Sequence, residues 1–466
     1  MTPVARKPPL ERFLSLFAEV RPGEAITALL LTSSVFLILA SYYVIKPVRE
    51  ALILSTGGAE VKAYTSALQT GVLLAIVPLY AKLASNVPRR RLINIVTLFF
   101  VVCLVGFFFL AEQEVRLRIP MILPPLDSPR FGFIDLSLGV LFYLWVGIFN
   151  VMVVAQFWSF ANDLYTPEQG KRLFAIIGFG ASAGAVLGPA IAGTLIEPIG
   201  LNRLLLVAGL ILFLSLIMTN VVDSRERGRA VRVRPDGIAG ASPSVVEEEG
   251  IGKQGAYKLL FRNRYLLSIA FLILFLNWVN STGEYILGRV VTDAASRAAA
   301  AGGPDEGTFI GGFYSSFFGV VNVVGLVVQL FLVSRILKYI GVRGALLIMP
   351  AIALIGYSMV AFVPLLGLIR WVKTAENATD YSLQNTLRGV LFLPTTREEK
   401  YKAKQAIDTI FVRAGDALAA LLVFVGTTFL AFQTREFALV NMAFVAIWIV
   451  LALVVGLRYR RLAQDS

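Results

Sequence analysis

The chain predicts an all-α, polytopic membrane protein of about twelve transmembrane helices in two six-helix bundles. Three observations lead there. Of its 466 residues 57% are hydrophobic and 16% charged, against about 25% charged in soluble proteins, and mean hydropathy is +0.75. Apolar runs of the roughly 20 residues that cross a bilayer recur from end to end. The longest polar interruption, Val222 to Gly255, falls near the middle. This hydropathy excludes a soluble enzyme.

The runs of the first half lie near residues 25–45, 63–83, 92–112, 134–161, 173–196 and 201–222. Those of the second lie near 264–288, 308–334, 344–363, 365–390, 405–431 and 437–457. The first is too long for a signal-peptide core and lacks a small-residue cleavage site, so it stays as an anchor. The third holds Cys103, the one cysteine, so neither a disulfide framework nor a thiolate metal site is expected. The fifth carries Gly178-Phe-Gly180-Ala-Ser-Ala-Gly184-Ala-Val-Leu-Gly188. No strand precedes it, and small residues every four positions predict close helix contact rather than a dinucleotide loop. No G-x-x-x-x-G-K-[ST] occurs, which removes ATP-hydrolysing transport.

Residues 1–222 and 257–466 are expected to be the two bundles, with 223–256 a cytoplasmic linker. An even number of spans in each half makes them parallel repeats. Two loop pairs in register support duplication. Ser85-Asn-Val-Pro-Arg-Arg-Arg follows the second span and Ser334-Arg-Ile-Leu-Lys-Tyr-Ile-Gly-Val-Arg the eighth. Thr166-Pro-Glu-Gln-Gly-Lys-Arg follows the fourth and Thr396-Arg-Glu-Glu-Lys-Tyr-Lys the tenth.

A formal charge of +13 could suggest nucleic acid, but aromatic-interleaved basic patches are missing. The basic residues cluster instead in alternate loops, such as Arg89-Arg90-Arg91, Lys171-Arg172 and Arg458-Arg460-Arg461. The positive-inside rule then puts both termini in the cytoplasm. Histidine is absent, which removes the commonest neutral-pH proton shuttle. With no nucleophile–base set and no metal-ligand cluster in view, neither enzymatic activity nor a cofactor or metal is expected.

Charges inside the spans carry the functional reading. Lys46, Arg49 and Glu50 share one helix face. Each costs roughly 2.5–3.5 kcal/mol mid-bilayer, so such charges face a wet cavity or a partner. The seventh span carries a stripe of Asn277, Asn280 and Glu284, with Arg289 beyond. The tenth carries Lys373, Glu376, Asn377, Asp380, Gln384 and Arg388, and the eleventh Asp408, Arg413 and Asp416. Any of these could be a structural pair, Lys373 with Asn377 and Asp380 or Arg413 with Asp416. For the whole set a polar central cavity is the more economical account, holding a negatively charged small molecule. Arginine forks suit phosphate oxygens, so Lys46 and Arg49 in one bundle and Arg413 in the other would hold a phosphate chain. Glu50, Glu284 and Asp416 would hold those cations when cargo is absent. At the end of the fourth span, Asn162, Asp163, Thr166, Pro167 and Glu168 read equally as a helix cap and as a gate. In the gate Asp163 or Glu168 pairs with Lys171 or Arg172.

With these residues laid out, the chain resembles the nucleotide transporter family, the ATP/ADP translocases of plastids and intracellular bacteria. The likeness rests on Tyr42-Tyr-Val-Ile-Lys-Pro-Val-Arg-Glu-Ala-Leu-Ile-Leu, on Phe157-Trp-Ser-Phe-Ala-Asn-Asp-Leu-Tyr-Thr-Pro-Glu-Gln-Gly-Lys-Arg-Leu-Phe and on Lys400-Tyr-Lys-Ala-Lys-Gln-Ala-Ile-Asp. It implies a major-facilitator-like fold and exchange of ATP for ADP by alternating access. It further implies that Arg49 and Arg413 match the family's basic positions, and Asn280 or Glu284 its seventh-span acid. The chain departs from the family near Val146, where the family has an acid, and at Asp416, where it has glycine. Both departures alter the charge balance of the cavity. The alternative in the same fold is a proton-coupled or facilitative carrier of another phosphate-bearing or organic anion, protonated at Glu50, Glu284 or Asp416. A non-transporting scaffold or sensor is the alternative of a different class.

Overall fold

The computed structural model describes residues 19–21, 23–113, 117–123, 130–233, 260–396 and 403–465, with residues 11 and 399. Helix α1, Ala25–Asn86, is 62 residues long and broken at Gly58, whose φ of 72° is non-helical. Glycine takes that left-handed value without a Cβ clash, so α1 holds the first two spans as arms 25–57 and 59–86. Then come α2 (Arg89–Glu112), α3 (Leu138–Leu164), α4 (Pro167–Ile199) and α5 (Leu204–Val233). The second half has α6 (Arg264–Ala300), α7 (Glu306–Tyr339) and α8 (Gly341–Phe362). It continues with α9 (Leu366–Thr379), α10 (Lys404–Thr428) and α11 (Thr434–Asp465). Among the described residues ten of these helices are long and apolar enough to cross a membrane. Counting α1 as two and adding the polar α9, which runs on through Asn385–Val390, gives the twelve spans read from hydropathy.

Three local features differ from the sequence reading. A two-stranded antiparallel hairpin, β1 (Leu117–Leu123) and β2 (Arg130–Leu136), precedes α3. The fourth span was expected to open at residue 134, inside β2. It opens instead at Leu138, where the Ser137 side chain caps the Val140 N–H. The polar stretch expected as linker continues α5 as helix to Val233, and the remainder, 234–256, lies outside the described residues. Finally, turns widen to π geometry at Asn150–Val154, Val328–Leu332, Asp380–Gln384 and Ile407–Phe411. Such turns often mark functional positions, and the first and third fall in the fourth and tenth spans, equivalent places in the two halves.

By proximity the chain forms two compact units. Met1–Leu52, Val72–Ser244 and Gly311–Gly319 make the first, and Ile53–Gly71, Val245–Ile310 and Val320–Ser466 the second. In the first unit, buried rings of Phe100 and Phe107 from α2 meet Phe142, Trp145 and Phe149 from α3 at centroid separations of 4.9 to 5.4 Å. The small-residue stripe of α4 lies directly on α1. A Cβ on Gly180, Gly184 or Gly188 would come within 2.4, 2.3 and 2.6 Å of the carbonyls of Thr32, Phe36 and Ala40. The stripe is helix packing, as its spacing implied. In the second unit Gly415 of α10 presses on α6 in the same way, its Cβ position 2.9 Å from the Leu274 carbonyl. Asn441 of α11 donates to the Val279 carbonyl of α6 at 3.0 Å.

The internal repeat is visible as chemistry. Thr166 and Gln169 exchange a reciprocal pair of bonds, N–H to side-chain oxygen in both directions, at 3.1 and 3.4 Å. Thr396 and Glu399 do the same at 3.0 and 3.3 Å. Gln169 then donates to Glu24, the residue before α1, at 3.1 Å. Asn263, the residue before α6, donates to Glu399 at 2.7 Å.

Gly184→Val is expected to remove most of the folded protein, because its methyls would occupy the Phe36 carbonyl. Gly178→Ala, with nothing within 4 Å of its Cβ position, is expected to leave yield unchanged. The monodisperse fraction on size exclusion after detergent extraction reads both.

Candidate substrate-binding site

In the first unit the charges of α1 are held by rings and one carboxylate. The Arg49 guanidinium donates to Glu50 through Nε at 3.1 Å and through a second nitrogen. Its carbon lies 4.6 Å from the centroid of Tyr143 on α3. Glu50 is 1% exposed. The Lys46 ammonium sits 4.2 Å from the ring centre of Phe318, 5.1 Å from Tyr43 and 5.9 Å from Tyr42. Ring faces attract cations most where water is excluded, so aromatic side chains do here part of what carboxylates do elsewhere. Tyr143 and Phe318 were not read from sequence, since only the fold brings α3 and α7 to α1. Val146 of α3 is fully buried in the aromatic core.

The second unit pairs its ions. Lys373 of α9, 1% exposed, donates to Glu376 and to the Asn280 side chain at 2.8 Å each, and lies 3.5 Å from Glu284. The expected pairing of Lys373 with Asn377 and Asp380 is therefore corrected. Asn377 donates to Glu284 at 3.0 Å, and Asp380 lies 3.6 Å from Arg388. Tyr357 of α8 closes the cluster by donating to Glu376 at 3.0 Å. Residue 283 must be glycine, because a Cβ would stand 2.0 Å from the Tyr357 oxygen. Lys62, 3.9 Å from Glu284, was missed because the second span was expected to begin after it. On α10, Arg413 lies 3.4 Å from Asp416, which also accepts from Ser281 at 2.6 Å. Arg289 stands apart, donating to the Phe432 carbonyl and to Gln433. Thus Asn280, Glu284 and Lys373 come together, while Asp380 with Arg388 and Arg413 with Asp416 form separate pairs.

The end of the fourth span resolves differently from either gate pairing expected. Arg172 makes a two-pronged contact with Glu24, both bonds 3.1 Å, and donates to the Glu19 carbonyl. Asp163 lies 3.4 Å from Arg89. Asn162, Glu168 and Lys171 are exposed. Thr166 caps α4 with Pro167 and Glu168 in its first turn, so the capping chemistry is present beside these ion pairs. The sequence reading missed Glu24 and Arg89 as the partners because tertiary contact alone pairs them. Burial favours the neutral acid of Glu24, yet the hydrogen bonds from Arg172, the Arg21 N–H and Gln169 outweigh it and hold this carboxyl below its usual range.

Twelve spans, charges compensated within each unit and a repeated capping pattern define the class of polytopic membrane carriers. Residues 31–375 match the profile of the Major Facilitator Superfamily, and the chain belongs to it. Residues 347–459 also match the TLC ATP/ADP transporter profile. ADP,ATP carrier protein 1 of Chlamydia pneumoniae is 25% identical over 475 residues, covering 90% of this chain and 88% of its own. ADP,ATP carrier protein 2, chloroplastic, of Arabidopsis thaliana is 22% identical over 90% of this chain and 72% of its own. A bacterial homologue of the iron transporter ferroportin in an inward-facing state shares the fold at a TM-score of 0.62 and 14% identity, over 92% of this chain and 98% of that one. The nucleoside transporter NupG shares it at a TM-score of 0.59 and 12% identity, over 92% and 98%.

Lys373→Met is expected to cost about 3–5 kcal/mol, because it leaves Glu376 buried without its counter-ion. Adding Glu376→Gln is expected to recover part of that, read by chemical unfolding in detergent. A carboxyl held low contributes stability above its unfolded value and loses it as pH falls through the lowered one. The unfolding midpoint of wild type should therefore exceed that of Glu24→Gln at neutral pH. The gap should close as pH drops below the usual carboxylate range.

Proposed function

We propose that this protein is a secondary-active transporter that exchanges nucleotides, ATP against ADP, by alternating access in a bacterial inner membrane with both termini cytoplasmic. The single observation that carries the reading is near-full-length similarity to ADP,ATP carriers, over 90% of the chain. The geometry supports it. The Arg49 side chain is 13% exposed and that of Arg413 35%, and each holds a carboxylate that a nucleotide phosphate would replace. An arginine fork binds phosphate oxygens in two-pronged fashion. Lys46, with its ring faces, adds a further cation in the first unit. The halves 1–222 and 257–466, joined by 223–256, are the bodies whose motion alternates access. ATP and ADP differ by about one charge, so uncompensated exchange would respond to membrane potential by about 2.3 kcal/mol per 100 mV.

Vesicles loaded with ADP should take up labelled ATP faster than empty vesicles; equal uptake counts against exchange. Arg49→Ala and Arg413→Ala should each lower uptake at least roughly thirtyfold while the protein stays folded in the membrane. A second reading, proton-coupled carriage of another anion, is favoured by Asp416, its side chain 13% exposed, with its Ser281 and Arg413 contacts. Uptake driven by a pH gradient without internal nucleotide would support it instead.

A further inference from the structure

Helices α2 and α5 run together in the first unit and leave a groove of about 590 Å³ on their exposed side. Its walls are apolar, with Leu98 of α2 47% exposed and Phe213 and Ile217 of α5 each 41% exposed. Beside it opens a second cleft of about 480 Å³, lined by Arg90, Arg91 and Arg227. Asn94 lines both, so a long apolar slot ends in a basic mouth. The mouth is under-neutralised. Asp223, its side chain 4% exposed, is shared by Arg89 at 3.3 Å, Arg90 at 3.8 Å and Arg227 at 2.9 Å. Asp163 adds a second carboxylate on Arg89. Among the described residues Arg91 has no carboxylate within ion-pair distance. Among the described side chains four guanidiniums thus face two carboxylates, and those of Arg90 and Arg227 are 46% and 60% exposed. The opening turn of α2 adds outward N–H groups and its positive helix end to the same place.

We propose that this slot binds one anionic phospholipid, its acyl chain against Leu98, Phe213 and Ile217 and its phosphodiester on Arg90, Arg91 and Arg227. The charge excess selects the headgroup. A zwitterionic lipid would bring its own cation to a mouth already two charges positive, whereas an anionic one neutralises it. A soluble anion would satisfy the arginines and leave the apolar groove empty, so the occupant is a lipid. This site is separate from Lys46, Arg49 and Glu50.

Native mass spectrometry of the full-length protein in non-ionic detergent, with phosphatidylglycerol or phosphatidylcholine of matched chains, tests it. Wild type should retain one phosphatidylglycerol in preference to phosphatidylcholine. Arg91→Gln should cut that preference roughly fivefold, while Arg461→Gln, an equal charge change elsewhere, should leave it unchanged. Leu98→Trp, which fills the groove, should lower retention of both lipids; if it does not fold, Phe213→Ala, which removes a wall, reads the same point. Equal retention of the two lipids by wild type would overturn the proposal, as would an unaltered preference in a stably folded Arg91→Gln. Full displacement of the lipid by millimolar inorganic phosphate would identify a free-anion cleft and overturn it equally.

Discussion

An ionised side chain between the ends of these helices has no bulk water to solvate it, and whatever compensates it must come from the protein within a few ångströms. The two units meet that demand differently. In the second, Lys62 and Lys373 share Glu284 and Glu376, Arg388 lies near Asp380, and Arg413 near Asp416. In the first, one carboxylate serves Arg49, and aromatic faces flank both Arg49 and Lys46. Ring faces stabilise a cation without neutralising it.

Pairs buried this way are weak sources of stability, since desolvating two charges consumes most of their attraction. Their exposure sorts them by what they are able to do. Lys373 and Glu376, 1% and 3% exposed at the side chain, are locked together under Tyr357 and act as a strut between α9, α8 and α6. Arg388 at 23% and Arg413 at 35% are more exposed than that pair. Glu284, 26% exposed and within 4 Å of two lysines, lies between these limits.

How much of this was legible in the sequence follows from which physics each feature obeys. Span positions came out well because hydropathy over about 20 residues reports the bilayer directly. The glycine stripe of α4 was legible because a four-residue spacing can only mean one face. Helical periodicity likewise put Lys373, Glu376, Asn377 and Asp380 on a common side. It could not say which neighbour each would meet: Lys373 took Glu376 one turn on and Asn280 and Glu284 from α6, not Asn377 and Asp380. Arg172 took Glu24, far away in sequence, rather than Asp163 or Glu168. The break at Gly58 was invisible because the run on either side is helix-forming, and this hid Lys62 in what read as a loop. The β1–β2 hairpin was hidden by hydropathy that continues into β2.

The repeat shows where duplication has been retained and where it has diverged. In both halves a threonine and the residue three further on cap each other, and the latter also bonds the residue that precedes the first helix of the half. The backbone role is the same, yet the polarity is reversed. In the first half the acid is Glu24, before α1, and the amide is Gln169; in the second the amide is Asn263, before α6, and the acid is Glu399. Each junction keeps one acid and one amide, so the hydrogen bond survives the swap at no electrostatic cost. In the first half a guanidinium, Arg172, also pairs with the acid. The geometry of the junction tolerates either arrangement because a hydrogen bond needs one donor and one acceptor, whereas the charge beside it is free to differ. The two junctions thus share their backbone scaffolding and differ in how charge is placed on it.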